Sequence, residues 1–271
     1  MQLYNPFLTT SPHAEAIHHA LCARLSTPPV LDHFALISLP GEHTGIPMLK
    51  RLFNQLGYEE RGHDYLPDKQ NDFMWLAPVS NQQAKAAHAL PQVVIADFRL
   101  DEMPSAVATI IHHYAKQAKP SDTLVTHPWP RPTIAEYETV RAFNELLAWV
   151  LVWGHQPNHF GLSMHLQSHF PSLEAFNHYL EHELAVPLNQ EGGTIKGTLD
   201  RGIMQSSTQA PLTAIQLADG VIEINEPFME FVWRKALADV PAYWHDYYQD
   251  FIGAQANKVV ESLYLTPFAS S

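Results

Sequence analysis

The chain has 271 residues, of which 46% are hydrophobic and 16% are charged, a composition typical of a folded protein with a substantial core. Its formal net charge is −12, and no basic run is interleaved with aromatic residues, which argues against a nucleic-acid partner. The longest apolar run, residues 146–153, is too short to span a bilayer, and the N-terminus lacks a signal-peptide pattern. Since the single cysteine allows no internal disulfide, we expect a cytoplasmic protein that does not bind membranes.

The first half of the chain predicts two helices around a strand, followed by more strands. Residues 11–25 start with Ser-Pro, a helix start signal, and are predicted to bury Cys22 as a small apolar side chain. Residues 32–39, written DHFALISL, alternate as a half-buried strand does, and residues 44–56 predict an amphipathic helix that stops at Gly57. Further strands are predicted at residues 73–77 and 93–98, and further helices at 81–90 and 106–117.

The second half repeats this order after a proline-rich connection at residues 120–132. Residues 133–153 predict the longest helix, which ends at Gly154. A strand at residues 157–165, a helix at 173–184 and strands at 202–208, 212–217, 221–224 and 228–232 follow. We therefore predict a single α+β domain, residues 1–271, built from two related βαβββ modules at about residues 30–120 and 155–235. The aromatic, partly helical tail at residues 240–268 is expected to cover an edge of the core.

The two predicted first strands carry the same short motif. DHFALISL and PNHFGLSMH both contain His-Phe-x-Leu, with Asp or Asn directly before the histidine. If they are equivalent strands of a duplicated module, the side chains of His33 and His159 point into one shared cavity. The alternative is two unrelated strands, each with its own hydrogen-bonded histidine.

A third polar residue lies in the last predicted strand, where Glu230 is surrounded by apolar residues in the sequence FMEFVW. An unpaired buried charge is costly, which favours a metal ion as its partner, or alternatively Arg234 four residues on. Two imidazoles and one carboxylate form the facial triad of mononuclear Fe(II) enzymes, and the same ligands also bind Zn(II), Mn(II) or Ni(II). His33, His159 and Glu230 are therefore the candidate metal-binding and catalytic residues.

Several motifs spread from residue 32 to residue 262 resemble the 2-oxoadipate dioxygenase/decarboxylase (2-hydroxyglutarate synthase) family of the vicinal-oxygen-chelate superfamily. They are DHFAL, LGYEERG with YLPDK, NHF, GIMQSST with ADG, MEFVWR and FIGAQANKVVES. The resemblance implies a curved, partly closed sheet around a metal site, with flanking helices. It also implies an Fe(II)-dependent enzyme that converts 2-oxoadipate and O₂ to D-2-hydroxyglutarate and CO₂ in lysine catabolism. The family's metal ligands match His33, His159 and Glu230.

One position departs from the family pattern. The family has an arginine four residues after its first ligand, which grips the substrate carboxylate, whereas this chain has Ile37. Either another cation takes over, for which Arg61, Lys69 and Arg201 are candidates, or the substrate differs. Other expected contacts to the substrate come from polar residues that border the site, although ordinary strand hydrogen bonding explains them equally well: Gln205, Ser206, Ser207 and Thr208.

The sequence thus predicts an Fe(II)-dependent oxygenase whose partners are O₂ and a small 2-oxo acid similar to 2-oxoadipate. Two alternatives stay open. One is a different metal-dependent enzyme on the same scaffold, a hydrolase or isomerase that uses Zn(II) or Ni(II). The other is a non-catalytic metal- or metabolite-binding protein, which Ile37 makes plausible. Nothing in the sequence indicates an oligomeric state.

Overall fold

The structure is a computed structural model that describes residues 3–25 and 28–263, so residues 264–268 of the predicted tail lie outside the described residues. The described residues form ten strands: β1 (Leu31–Ile37), β2 (Tyr58–Leu66), β3 (Asn71–Pro78), β4 (Gln92–Phe98), β5 (His159–Ser163), β6 (Lys196–Thr198), β7 (Ile203–Ser207), β8 (Leu212–Gln216), β9 (Val221–Asn225) and β10 (Phe228–Arg234). They also form eight α-helices: α1 (Tyr4–Thr10), α2 (Pro12–Arg24), α3 (Gly45–Gln55), α4 (Ser105–Ala115), α5 (Ile134–Arg141), α6 (Glu145–Trp153), α7 (Leu173–His182) and α8 (Gly253–Val259).

Eight of the strands form one sheet in the order β2-β3-β4-β1-β5-β10-β7-β6. The order is symmetric about the antiparallel pair β1–β5: β1 pairs in parallel with β4, and β5 pairs in parallel with β10. Each half runs strand, helix and three strands, with the hairpin β8–β9 inserted before β10 in the second half. The predicted α+β fold with duplicated βαβββ modules and a curved sheet is confirmed. The assignment of all 271 residues to a single domain stays a prediction.

The two faces of the sheet bury different apolar clusters. On one face, α1, α2, α3 and α7 pack against alternate strand residues such as Leu36, Ile95 and Phe231. Phe34 and Phe160 are directly paired across β1 and β5, and their rings stack on this face with centroids 5.2 Å apart. On the other face, side chains of α4, α5 and α6 and the C-terminal segment close over the sheet. In the part of the chain that the structure describes, no helix has the length and apolar character needed to cross a membrane.

The predicted long helix at residues 133–153 is wrong, because the chain breaks between α5 and α6. Asn144 has extended backbone angles, its Oδ1 accepts from the Leu147 amide at 2.9 Å, and its Nδ2 donates to the Lys69 carbonyl at 2.7 Å. A side chain that satisfies a backbone donor in this way starts a new helix. Phe143 lies at this break and is 38% exposed.

Two smaller predictions are also wrong. The predicted helix at residues 81–90 is a pair of short 3₁₀ turns, Val79–Gln83 and Ala86–His88. Asn81 holds this loop closed by bonding both the carbonyl and the amide of Leu90, which competes with helix formation. Cys22 is exposed, because α2 turns the neighbouring Leu21 toward the core. The other predicted helices and strands are present, with ends shifted by a few residues.

His155 joins three segments of the chain through hydrogen bonds of its ring. Its Nδ1 donates to the Val125 carbonyl at 2.9 Å, so its Nε2 accepts from the Ser38 hydroxyl at 2.7 Å, with Thr44 Oγ1 at 3.2 Å. The Ser38 hydroxyl in turn accepts from the Gly45 amide at the start of α3. This arrangement suits a neutral ring, and burial lowers the pKa of His155 from 6.5 to about 4.

We expect His155 to make the stability of the metal-free protein depend on pH. As the pH is lowered from 6.5 to 4, His155 takes up a proton in the unfolded chain but not in the folded chain. The free energy of unfolding therefore decreases as the pH is lowered, by about 3 kcal/mol at pH 4. Urea unfolding of the wild type and of His155→Gln at pH 7, 6 and 5 measures this. The wild type should lose stability more steeply than the variant, since their other histidines are the same. Parallel pH profiles would contradict the assignment.

Candidate metal centre

Three side chains from the centre of the sheet meet at one point. His33 lies on β1, His159 on β5 and Glu230 on β10, and all three are buried. The Nε2 atoms of His33 and His159 are 3.2 Å apart. Glu230 Oε2 lies 3.6 Å from His33 Nε2 and 3.4 Å from His159 Nε2. The structure therefore brings together the three residues that the sequence singled out.

This donor set fits a divalent metal ion. The three ligand atoms lie within 4.8 Å of one another, and donors that share one cation at about 2.0–2.2 Å have such separations. Two imidazoles and a carboxylate suit Fe(II), Zn(II), Mn(II) and Ni(II) alike, so the donor set could hold any of these ions and does not select one.

The ring of His33 is oriented by a buried ion pair. Its Nδ1 lies 2.9 Å from Asp32 Oδ1, and Arg234 donates to both oxygens of that carboxylate from Nε and Nη2, each at 2.8 Å. Ser163 Oγ donates a fourth hydrogen bond to this carboxylate, to Asp32 Oδ2 at 3.1 Å. Arg234 is thus paired with Asp32. The alternative that Arg234 is the partner of Glu230 is therefore ruled out. A carboxylate behind a histidine fixes the tautomer that presents Nε2 to a metal.

The second histidine has a neutral counterpart of this arrangement. His159 Nδ1 donates to Asn158 Oδ1 at 2.9 Å, so its Nε2 is also directed at the shared point. Glu230 Oε1 accepts from Gln205 Nε2 at 2.5 Å, which leaves Oε2 facing the two rings. Each of the three candidate ligands is therefore held by a neighbouring polar side chain.

The electrostatics of the metal-free centre reflect this packing. Burial acts to lower the pKa of His33, but the carboxylates of Glu230 and Asp32 outweigh it and raise that pKa to about 9. Burial lowers the pKa of His159 to about 4, only partly offset by Glu230. For Glu230, burial acts to raise the pKa, but the two imidazoles outweigh it and hold it below its usual value. Without a metal, one proton on His33 takes the place of the cation.

The close approach of the two rings depends on a small residue opposite each one. In the β1–β5 register, His33 lies opposite Gly161, and His159 lies opposite Ala35. A Cβ atom at Gly161 would lie 2.6 Å from His33 Cε1 and 2.7 Å from His33 Nδ1, which is closer than non-bonded carbon atoms approach. Gly161 therefore makes room for His33 in its present position.

A cavity of about 50 Å³ opens from the metal centre toward the first module. Besides the three ligands and Gln205, its walls are mostly apolar: Ala35, Ile37, Leu66, Phe73, Val94, Ala96, Phe251, Ala256 and Val259, with Asn71 as a further polar residue. The ring of Phe251 packs edge-on against that of His33, with centroids 4.8 Å apart. The C-terminal segment, predicted only to cover a core edge, thus forms part of the site.

The predicted substrate-binding residues fall into two groups. Gln205 lines the cavity, but Ser206 points to the opposite face, where its hydroxyl donates to Asn177 Oδ1 at 2.7 Å. Placing Ser206 at the site is wrong because strand residues alternate between faces. Ser207 shares the face of Gln205 but is bonded to Ser262 Oγ at 2.9 Å, and Thr208 Oγ1 accepts from the Met229 amide at 3.2 Å.

The three candidate cations lie outside the cavity lining. Arg61 on β2 and Arg201 are exposed. Lys69 is buried, donates to Asn257 Oδ1 at 2.7 Å and forms an ion pair with Glu261 at 3.5 Å. The expectation that one of them reaches the site is therefore not met. The role of Asp32 was missed, although the Asp or Asn before each histidine in the repeated motif was a visible signal.

The duplicated sheet has a vicinal-oxygen-chelate-like fold, and its centre carries a buried His-His-Glu cluster that could hold a metal ion. A putative glyoxalase superfamily protein from Ralstonia eutropha JMP134 shares the fold, with a TM-score of 0.70 over 86% of this chain and 80% of that one, at 17% identity. No family model matches the chain.

Comparison with two curated relatives identifies the family of the chain. The chain is 32% identical over 219 residues to the chloroplastic 2-oxoadipate dioxygenase/decarboxylase of Arabidopsis thaliana, covering 76% of this chain and 59% of the relative. It is 30% identical over 249 residues to the chloroplastic/amyloplastic 2-oxoadipate dioxygenase/decarboxylase of Oryza sativa subsp. japonica, covering 85% of this chain and 68% of the relative. The chain therefore belongs to the 2-oxoadipate dioxygenase/decarboxylase family. It spans less than two thirds of the Arabidopsis relative's length.

Two solved structures are also similar to the chain. The hydroxyglutarate synthase of Oryza sativa, crystallised with 2-oxoadipate, superposes with a TM-score of 0.87 at 26% identity, covering 96% of this chain and 89% of that one. A putative hydrolase from Shewanella frigidimarina NCIMB 400 superposes with a TM-score of 0.80 at 25% identity, covering 93% of this chain and 95% of that one.

We predict that His159→Ala abolishes stoichiometric metal binding, because two remaining donors in a buried site cannot replace the third. His165→Ala is the matched control, since His165 follows the same strand but its Nδ1 faces the Val232 carbonyl at 3.4 Å. Elemental analysis after loading with Fe(II) or Zn(II) and desalting should find metal in the wild type and the control only. Unchanged metal content in His159→Ala would contradict the assignment of this cluster as the metal site.

Gly161→Ala should weaken metal binding by roughly 10–100-fold, the range seen when ligand orientation is disturbed. The new methyl group would push the ring of His33 off the shared point. Ala35→Gly, at the position opposite His159, is the control and should bind metal as the wild type does. Competition with a chromogenic chelator measures the affinities. A folded Gly161→Ala protein with wild-type affinity would contradict the role of this close approach.

Proposed function

We propose that the chain is an Fe(II)-dependent dioxygenase that oxidatively decarboxylates a 2-oxo acid, for which 2-oxoadipate is the reference compound. The main support for this proposal is that the buried side chains of His33, His159 and Glu230 meet at one point in a chain of this family. The reaction is R–CH₂–CO–COO⁻ + O₂ → R–CHOH–COO⁻ + CO₂, which balances without another reductant. A place in lysine catabolism and a cytoplasmic location stay predictions.

The ligands would hold Fe(II) from one side only. Glu230 pairs with Gly161 on β5, and the position related to it by the internal symmetry is Val94, which pairs with Ala35 on β1. Val94 offers no donor atom and lines the cavity. The half of the centre that faces the first module is therefore left for the substrate and O₂.

When bound there, Fe(II) would supply the redox chemistry that activates O₂ and breaks the bond between the carboxylate and keto carbons. Asp32 keeps the proton of His33 on Nδ1, and Asn158 does the same for His159, so both Nε2 lone pairs are available. Gln205 holds Glu230 by its other oxygen. None of these residues needs to move a proton during the reaction.

Exclusion of bulk water is the second contribution of the chain. Phe251 and Val259 from the C-terminal segment are buried and line the cavity together with the apolar residues of the sheet. A dry site suits this chemistry because water would compete with the substrate for the metal and would quench a reactive oxidant. The apolar walls contribute no acid or base, so the reaction depends on the metal and the substrate.

Oxygen uptake tests the proposed function. Protein loaded anaerobically with Fe(II) should consume O₂ and release CO₂ in a 1:1 ratio when a suitable 2-oxo acid is added, with the shortened 2-hydroxy acid found by mass spectrometry. Glu230→Gln should lower kcat at least ~100-fold, because the amide cannot supply the anionic ligand. Glu226→Gln, a nearby buried carboxyl outside the triad, is the control and should stay active. If no 2-oxo acid of a panel supports O₂ uptake, the proposed oxygenase activity is contradicted, and a hydrolase or isomerase activity is favoured.

A further inference from the structure

We propose that the cavity beside the metal centre selects 2-oxo acids whose side chain ends in an uncharged apolar group, and that Ile37 sets this preference. The inference rests on the proposed function and names the substrate class of the same site. It predicts a substrate that differs from 2-oxoadipate at the end remote from the keto group.

The far wall of the cavity is a continuous apolar row across three strands. In the sheet register, Ile37 on β1 pairs with Ala96 on β4, and Ala96 pairs with Phe73 on β3. All three are buried, and all three line the cavity. Leu66 and Val94 extend the same wall. A substrate that reaches away from the metal centre toward the first module therefore meets hydrocarbon.

The internal symmetry shows how differently the two halves are built. The row that corresponds to Ile37, Ala96 and Phe73 in the second module is Ser163, Val232 and Gln205. Gln205 lies on the metal side of the cavity, where its Nε2 donates to Glu230. The polar side chains that surround the candidate ligands thus come mainly from the second module, whereas the first module, apart from His33, lines the cavity with apolar side chains and one amide, Asn71.

The polar groups that do line the cavity carry no positive charge and already have partners. Asn71 Nδ2 donates to the Asp97 carbonyl at 2.8 Å, and Gln205 Nε2 is held by Glu230. Within residues 3–25 and 28–263, no lysine or arginine lines this cavity. The imidazoles of His33 and His159 are assigned to the metal.

The buried cations nearest in the fold are engaged elsewhere. Arg234 donates to Asp32 from Nε and Nη2, and to the carbonyls of Tyr248 and Asp250 from Nη1. Lys196 lies on β6 opposite Gln205 and donates to the Asn189 carbonyl at 2.8 Å. Lys69 is held by Asn257 and Glu261. Each would have to leave its partner to reach a carboxylate at the apolar end.

2-Oxoadipate carries one carboxylate beside its keto group and a second at the far end. The first can be neutralised by a divalent metal, but the second would lose its hydration against Ile37 and Phe73 without gaining a cation. A methyl group at that position gains from the same burial. The geometry therefore favours a monocarboxylate.

The test compares 2-oxoadipate with 2-oxohexanoate, which has the same number of carbons but ends in a methyl group. With the Fe(II)-loaded full chain, kcat/KM from O₂ uptake should favour 2-oxohexanoate at least ~30-fold, since an unpaired buried charge is strongly disfavoured. Ile37→Arg should reverse the preference, while Ile37→Val, the matched control, should keep it. Because a buried arginine can impair folding, the wild-type comparison stands alone as a test.

The outcomes separate the two proposals. Equal or greater kcat/KM for 2-oxoadipate in the wild type overturns the inference and leaves the oxygenase standing. If no 2-oxo acid supports O₂ uptake, the proposed function fails, and anaerobic calorimetry of the same two acids with the metal-loaded protein decides the inference. Tighter binding of 2-oxohexanoate then supports an apolar site, and equal or tighter binding of 2-oxoadipate overturns it.

Discussion

The antiparallel pairing of β1 with β5 is the constraint on which the metal centre depends. Phe34 and Phe160 are register partners at its midpoint, and their rings stack on the face away from the site. The histidine before each phenylalanine is thereby forced onto the opposite face, close to the seam between the modules. A slip of one residue would turn both imidazoles into the apolar cluster behind the sheet. Burial of the two phenylalanines thus helps to hold the register that places His33 beside His159.

Function depends on where the two modules have diverged from this symmetry. Glu230 supplies a carboxylate where the first module has Val94, and Gln205 supports it where the first module has Phe73. The residues that orient the two histidines differ as well. Asp32, paired with Arg234, bonds Nδ1 of His33, whereas the neutral Asn158 bonds Nδ1 of His159. One module therefore supplies most of the polar groups that could hold a metal, and the other supplies most of the apolar lining of the cavity.

Local patterns predicted the parts of the fold that local physics decides. The His-Phe-x-Leu repeat sufficed to place His33 and His159 on equivalent strands, because alternation and duplication are both visible in a sequence. The break at Asn144 was not visible, because that side chain stops the helix partly through a bond to Lys69, distant in the chain. Ser206 was misplaced because a run of polar residues does not show which members face the cavity, and Arg61 because a charge suited to an anion does not show that it reaches one.

The buried charges of the site also bear on which substrates it can accept. Arg234 and Asp32 cancel each other, and both imidazoles are neutral when they bind a metal, so Glu230 is the one negative group among the three candidate ligands. A divalent cation there leaves one positive charge in a site lined by Phe251, Val259 and other apolar side chains. The carboxylate of one 2-oxo acid balances this charge, and a further buried cation near Glu230, Lys196, lies on edge strand β6 of the second module and not beside the apolar wall of the first. Since an uncompensated charge is costly away from water, the balance of charge and the apolar wall at Ile37 favour the same substrates by independent physical routes.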